Sequence, residues 1–291
     1  MLLEGSISPR PLHKTIVLSE AILDSLDGYL IGHEQLALAK SVVFDCSNLH
    51  FGPEVGVRRK KRLDAPVIEC WLQRVDQIAR DIELVHELDG VEADVFLGDS
   101  REVTRYVAAR SINAVITSPP YPNEKDYTRT TRLESVLLGL LKTKSDLREV
   151  KKSLLRSNTR NVYKVDDDDL LVKDHPRIQE ISAEIERRRI AMGKTSGFER
   201  LYARVTELYF GGMVRHLASL RTRLRSGAYL AYVVGDQASY LRVMIRTGEL
   251  LADLAKSLGY EVLDIELFRT RLSTATKSQL REEVVILRWP G

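Results

Sequence analysis

Cysteine is scarce in this chain: Cys46 and Cys70 are the only two among 291 residues. Two thiols cannot build a disulfide framework, and their spacing matches no metal site. The expectation is a pair of reduced thiols and no bound metal. Long apolar runs are missing too. No stretch approaches the roughly 20 residues needed to cross a bilayer. The opening segment, MLLEGSISPRPLHK, lacks the charged head and apolar stretch of a secretion signal. These absences point to a cytoplasmic protein with no membrane partner. There are no internal repeats and no low-complexity tracts. Nor does one sign of charge dominate: 44 Lys and Arg against 41 Asp and Glu leave a formal +3, too little to name a partner.

The rest of the composition is that of an ordinary globular protein, with 44% apolar and 29% charged residues. A chain of 33.0 kDa can bury one large core or two modest ones. Charge is informative in its placement. Arg58-Arg59-Lys60-Lys61-Arg62 and Arg187-Arg188-Arg189 are compact basic runs, each either a solvated face or a surface for phosphates.

Apolar spacing predicts helices over residues 16–44, through Ile16, Leu18, Ile22, Leu23 and Leu26, then Leu36, Leu38, Ala39, Val42 and Val43. Asp27-Gly28 should break this stretch in two. A loop rich in Gly, Pro and charge follows, and helical spacing returns over 66–89 through Val67, Trp71, Val75, Ile78 and Ile82. From residue 94 short strands and helices alternate. Asp94–Leu97 reads as a short strand closed by Gly98-Asp99-Ser100, residues 101–110 as helix, and Ala114–Thr117 as a β-branched strand buried on both faces. Tyr229–Val234 is a further strand, ending in Gly235-Asp236. Residues 247–258 form a helix stopped by Gly259, and Val262–Phe268 with Val284–Trp289 finish the chain as a hairpin. This is the rhythm of a parallel α/β sheet. Two regions result: 1–90, helical with a basic loop, and 91–291, the α/β domain. A polar insert at 143–195 interrupts the second. Its acidic run Asp166–Asp169 and its arginines look too charged for core, and its length exceeds that of an idle connection.

Thr117-Ser118-Pro119-Pro120-Tyr121 stands where the second strand ends. An exocyclic amine of cytosine or adenine is a poor nucleophile, because its lone pair is delocalised into the ring. Acceptors on its two N–H groups draw the nitrogen toward tetrahedral geometry. The Ser118 hydroxyl and the Pro119 carbonyl can accept those bonds. Pro119 and Pro120 stiffen the backbone that carries them, and Tyr121 offers a flat face on which an extruded base stacks.

Val-Ile-Thr-Ser-Pro-Pro-Tyr resembles the catalytic motif of the S-adenosylmethionine-dependent DNA amino-methyltransferases, written Asp/Asn/Ser-Pro-Pro-Tyr/Phe/Trp in that family. The resemblance runs over about residues 94–290. Gly98-Asp99-Ser100 resembles the acidic turn that meets the adenine of the cofactor. Tyr209–Leu224 with Ser226-Gly227 resembles the helix and turn before strand five, Tyr232-Val-Val-Gly235-Asp236 that strand's end, and Gly259-Tyr260 the turn before strand six. The resemblance implies a Rossmann-like methyltransferase sheet, mostly parallel with a terminal antiparallel hairpin. It implies Asp99, Ser100, Thr117, Gly235 and Asp236 as cofactor contacts. It also makes the insert a target-recognition element, with Arg156, Asn158, Arg160 and Lys164, alongside Arg58, Arg59, Lys60 and Lys61, as candidates for DNA contact. The Ser form of the motif favours cytosine N4 over adenine N6.

One part of the family pattern has no counterpart. Its cofactor loop, near Asp/Asn-Pro-Phe-x-Gly-x-Gly, lets the backbone approach the methionine moiety, and no Gly-x-Gly occurs anywhere in this chain. The nearest substitute is Val42-Val43-Phe44-Asp45 followed by Phe51-Gly52-Pro53-Glu54-Val55-Gly56, against which the helical spacing argues. The first two strands of the family sheet are therefore expected to be absent, leaving strand three without a neighbour and strand four with an apolar edge. They come from residues 1–90 in unrecognised form, from a second polypeptide, or from a lost upstream segment, with a separate or lost half favoured. In that case Asn48, His50, Phe51, Gly52 and Glu54 form an ordered loop near the active site or DNA. Methylation of an RNA amine or a glutamine amide is the neighbouring enzymatic reading. A non-catalytic nucleic-acid-binding subunit is the alternative from another class.

Overall fold

The computed structural model describes every residue except Met1, Leu26, Asp27, Pro53, Glu54, His86, Leu88, Asp89, Glu124, Thr274 and Ala275. The expected break at Asp27, with Leu26 beside it, and Glu54 of the basic loop thus lie outside the described residues. The chain divides into two units, residues 1–95 with 127–151 and residues 96–126 with 152–291.

The first unit is helical. Pro9–Leu23 (α1) starts with proline at its first position, where a missing N–H costs nothing. Ile31–Ser41 (α2) follows and runs into a π-helical turn, Val42–Cys46. Val42–Asp45 is therefore no degenerate strand: it lies in this turn, with Val42 and Cys46 fully buried in the apolar cluster of the unit. Leu49–Phe51 (β1) and Val55–Val57 (β2) pair as a small antiparallel ribbon. Val67–Leu84 (α3) matches the predicted helix. Ile22, Leu38, Val43, Val67 and Leu133 gather in one apolar cluster, Leu133 arriving from the later part of this unit.

The second unit is built on a four-stranded sheet. Its strands are Ile112–Thr117 (β3), Leu224–Gly235 (β4), Glu261–Leu272 (β5) and Gln279–Arg288 (β6), in the order β3-β4-β6-β5. β3 and β4 are parallel, and β6 is antiparallel to both β4 and β5. Three strands thus point one way and β6 alone is reversed. This is a mixed α/β sheet with the expected antiparallel hairpin. Between β3 and β4 the chain passes through Tyr127–Thr130 (α4), Arg132–Leu137 (α5), Lys144–Ser153 (α6), Pro176–Ala191 (α7) and Tyr202–Arg221 (α8). Thr247–Ser257 (α9) links β4 to β5 and stops before Gly259, as expected.

Alternation along β4 decides where the core lies. Ala228, Leu230, Tyr232 and Val234 are buried, and together with Val285 and Leu287 of β6 they meet Tyr209, Phe210, Met213 and Leu217 of α8 and Leu250, Leu251 and Leu254 of α9. Each such side chain contributes about 1.5–3 kcal/mol by leaving water. Asp94–Leu97 is not a strand. Among the described residues no neighbouring strand takes its backbone, and Leu97 is fully exposed. Residues 101–110 form only a 3₁₀ turn, Ser100–Arg105.

The insert departs furthest from expectation, because much of it is core. Leu155, Val172, Ile178 and Ile185 belong to the main apolar cluster. Its acidic run is neutralised in pairs: Asp166 by Arg156, Asp168 by Arg101 and Arg215, Asp169 by Arg204. Charges of opposite sign brought together in fixed geometry can enter an interior that either alone would avoid. Gly211 of α8 permits this packing, since a Cβ there would stand 1.8 Å from the Asp168 carbonyl oxygen.

Candidate active site

Because β3 and β4 are parallel, Thr117 sits beside Tyr232 and both strands end on the same side of the sheet. Chain ends of parallel strands are where α/β sheets place ligands. Ser118 is exposed there, while Pro119, Pro120 and Tyr121 are half-buried. The Tyr121 phenol is hydrogen-bonded to the Ser118 hydroxyl. Its ring lies against Gly235 at the end of β4, where a Cβ would come within 2.9 Å of Cε2. Gly235 is thus a platform for Tyr121, a close approach that any other residue would obstruct. Burial pushes the Tyr121 phenol up, helped by the Glu282 carboxylate and opposed by the Ser118 hydrogen bond, Arg269 and Arg271. The ring is therefore a neutral hydrogen-bonding group and a flat apolar surface across the physiological range.

The loop after Tyr121 is tied down from the insert. The Asn123 amide donates to the Tyr121 carbonyl at 2.8 Å. Asn158, wholly buried, donates from Nδ2 to the Lys125 carbonyl at 3.2 Å and accepts from the Arg160 amide at 3.0 Å. Tyr240 donates to the neighbouring Ser157 carbonyl at 3.1 Å, and its ring stacks on Tyr202 with centroids 4.8 Å apart. Asn158 is accordingly a buckle for the candidate catalytic loop and not a base-reading side chain. Arg156 is likewise buried, held bidentately by Asp166 at 2.8 and 2.9 Å, and has no guanidinium edge left for phosphate. Arg160 and Lys164 are exposed, although the Arg160 guanidinium lies 5.8 Å from the Phe198 ring. Arg58, Arg59, Lys60 and Lys61 are all exposed. Asn48 is buried, bonding Gly5, Ser8 and the Arg62 amide, so it holds the first unit together.

Several of the expected cofactor residues are taken up by bonds within the protein. Asp99 accepts four bonds from Arg101, at 2.6–3.1 Å, and Arg101 passes on to Asp168 at 2.7 Å. They line a cavity of about 200 Å³ with Glu102, Arg156 and Arg215. Gly98 offers no open approach, since a Cβ there would strike the Tyr106 ring. The Ser100 carbonyl takes a bond from His216 Nδ1 at 2.8 Å, and a carbonyl can only accept. Nδ1 therefore carries the proton, and Nε2 receives the Tyr232 hydroxyl at 2.7 Å. Desolvation lowers the His216 pKa, favouring the neutral ring this relay requires. Asp236 is fully buried; Arg246 and Arg281 hold its Oδ2, while Oδ1 has no partner among the described residues. A larger cavity, about 550 Å³, lies at the opposite strand ends among Arg110, Arg221, Leu224 and Trp289, away from Ser118. Among the described residues nothing forms a cradle for S-adenosylmethionine: the candidate acid is consumed by an arginine and no glycine-rich turn adjoins it. No group of His, Cys, Asp and Glu suited to a metal occurs among them either, and no described helix is long and apolar enough to cross a membrane.

Sequence reasoning missed Glu282, Arg269 and Arg271 beside Tyr121, along with His216 and Tyr240. They lie far along the chain from the motifs they support, and no local pattern marks them.

No protein-family model matches the chain. It is similar to the type II methyltransferase M.AvaI of Nostoc sp., and to the M.AvaI of Anabaena variabilis, at 27% identity over 194 residues in each case. The match covers 61% of this chain but only 38% of those relatives, so the chain spans about two fifths of their length. Among solved structures, TTHA0409 of Thermus thermophilus, described as a DNA modification methylase, aligns over 67% of the chain and 51% of its own. The TM-score is 0.32 at 16% identity, a likeness too loose to establish a shared fold. What the comparisons establish is a sequence likeness to a type II methyltransferase across part of its length.

Proposed function

We propose that this chain carries the target-amine half of an S-adenosylmethionine-dependent DNA amino-methyltransferase, acting on cytosine N4. The observation that carries the reading is the placement of Ser118–Tyr121 at the carboxyl end of β3, with Tyr121 seated on Gly235 of the adjacent strand end. The likeness to M.AvaI supports it. In this reading the extruded base stacks on Tyr121. Its exocyclic N–H groups donate to the Ser118 hydroxyl and the Pro119 carbonyl, and the nitrogen lone pair is freed for transfer. Exposed Arg58–Lys61 contact the phosphates, whereas Asn158 holds the loop after Tyr121 and Arg156 is taken up by Asp166.

In this reading the methyl donor is held outside the described residues, which is supported by the grip of Arg101 on Asp99 and by the lack of a Gly-x-Gly turn.

The test is nucleoside mass spectrometry of DNA from cells expressing the chain with its native flanking reading frames. N4-methylcytosine should appear. Ser118→Ala and Tyr121→Ala should each abolish it while the chain's unfolding transition moves by less than about 1 kcal/mol. N6-methyladenine in its place refutes the choice of base; no methylated base at all refutes the enzyme.

A further inference from the structure

Arg110, in the turn before β3, holds a backbone conformation that suits glycine and not arginine. Its φ is 50°, in the left-handed region where a side chain crowds the neighbouring carbonyl. Such strain costs about 1–3 kcal/mol and persists only where the surroundings enforce it. Here they do. The Arg110 amide donates to the Thr222 carbonyl at 3.3 Å, and its carbonyl accepts from Arg225 Nε at 3.1 Å. Its side chain is exposed, and its guanidinium has no hydrogen bond or ion pair among the described residues.

That residue borders the cavity of about 550 Å³ at the strand ends opposite Ser118, a volume in the range of small-molecule sites. Arg221 lines it as well, with Leu224 and Trp289 as the apolar part. Gly291 also borders it, without an ion pair to either arginine. Arg223 and Arg225 follow in the same stretch of chain. The three later arginines donate only to neutral acceptors: Arg221 to the Leu258 carbonyl at 3.2 Å, Arg223 to the Val107 carbonyl at 3.1 Å, Arg225 to Arg110 and Asn113. Among the described residues no carboxylate pairs with any of the four, whereas Arg156, Arg246, Arg281 and Arg288 of the same unit all have one. Helix carboxyl ends attract cations, which accounts for Arg221 in the last turn of α8. It does not account for four unneutralised guanidiniums beside one cavity, nor for the strain retained at Arg110. Trp289 adds a flat wall. Its ring packs on Tyr260 with centroids 5.1 Å apart, and its indole N–H has no acceptor among the described residues.

We propose that this cavity binds a nucleoside phosphate, with the phosphate on Arg110 and Arg221 and the base on the Trp289 indole. Guanidinium forks match phosphate oxygens, and an indole face stacks any base. A free nucleotide and a nucleotide within a single strand present the same groups. S-adenosylmethionine does not suit the cavity, because its sulfonium and ammonium outweigh its one carboxylate and four arginines repel it. The site is also remote from the candidate reaction centre: the run Tyr229–Gly235 of β4, roughly 20 Å of extended chain, separates it from the seat of Tyr121. The proposal therefore stands apart from the methyltransferase reading.

The test titrates the full chain with AMP, adenosine, inorganic phosphate and a short oligothymidylate, by calorimetry and tryptophan fluorescence. AMP should bind at one site per chain and quench Trp289, a signal lost in Trp289→Phe. Adenosine and inorganic phosphate, each lacking half of the ligand, should bind at least about 10-fold more weakly. Arg110→Gly and Arg221→Met should each weaken AMP by about 10- to 100-fold. Arg110→Gly should melt no lower than the parent, since glycine accepts the left-handed backbone. Oligothymidylate binding more tightly than AMP, with the same sensitivity to both variants, makes a strand the source of the nucleotide; the reverse order makes it a free nucleotide. The inference is overturned if neither AMP nor the oligonucleotide binds, or if either arginine variant leaves affinity unchanged. It is equally overturned by a quench that survives in Trp289→Phe, by phosphate binding as tightly as AMP, or by competition from S-adenosylmethionine. None of these outcomes touches the role assigned to Ser118.

Discussion

Replacing Arg156 by Ala separates two roles that the same residue type can play. On a DNA-binding surface the guanidinium is free and its loss costs affinity but not stability. In this structure Arg156 is 4% exposed and grips Asp166 through Nε and Nη2 at 2.9 and 2.8 Å. It also donates to the Lys152 and Leu154 carbonyls. Truncation would strip both guanidinium bonds from the Asp166 carboxylate and leave it leaning on the Tyr163 amide, at 2.6 Å. Removing one partner of such a buried pair costs about 3–5 kcal/mol. For a unit of this size, at about 2–4 °C per kcal/mol, the melting temperature should fall by roughly 6–20 °C. Arg156→Met combined with Asp166→Leu should recover most of the loss, since replacing both charges by apolar groups leaves neither stranded. Differential scanning calorimetry of the three proteins measures this. If Arg156→Ala melts within about 2 °C of the parent while DNA affinity falls and its salt dependence flattens by about one unit, Arg156 is a phosphate ligand and the structural reasoning is refuted.

Three further outcomes are expected. Alanine at Arg58, Arg59, Lys60 and Lys61 together should leave stability within about 0.5 kcal/mol, since all four are exposed. The slope of log affinity against log salt should then become shallower by about 0.9 for each phosphate that is no longer neutralised, read from DNA titrations at several salt concentrations. The lowered pKa of His216 means that the unfolded chain binds this proton more readily than the folded one. Stability from this group is complete above the ordinary histidine value and declines as pH falls below it, toward the depressed folded value. Melts between pH 8 and pH 5 should show the decline, and His216→Gln should remove that component. Burial, reinforced by Cys70, pushes the Cys46 thiol up to about 12. Iodoacetamide at pH 8 should therefore leave Cys46 unmodified in the folded protein, as peptide mass spectrometry would report, and label it only on unfolding.

What was legible in the sequence was local. Helices within 16–44 and 66–89, the strand before Ser118, the β4 strand and the terminal hairpin were marked by periodicity and stop signals, but the strand before Ser118 was expected to be buried on both faces and instead leaves Ile116 85% exposed. Asp94–Leu97 misled, because an apolar run specifies burial but cannot provide the neighbour that makes it a strand. The insert misled for the opposite reason. Asp166–Asp169 looked like a solvated run because their partners Arg101, Arg204 and Arg215 are distant in sequence and invisible to any window. At the candidate site, Ser118 and Tyr121 were singled out from their chemistry, while Gly235 as the seat of Tyr121 and Asn158 as the buckle of the loop emerge only from the tertiary arrangement.

The arginine–aspartate lattice around Asp168 also bears on how this molecule should respond to heat. Arg101, Arg156, Arg204 and Arg215 supply its cations, so no lysine has to be stripped of its tighter hydration shell. Hydration of charged groups becomes less favourable as temperature rises, and the penalty for keeping these pairs dry shrinks with it. The lattice joins the Asp99 turn, the insert and α8, with Asp168 bonded to Arg101 and Arg215, 67 and 47 residues away in the chain. It should therefore hold the second unit together most effectively near the upper end of its stability range, where apolar burial has stopped gaining.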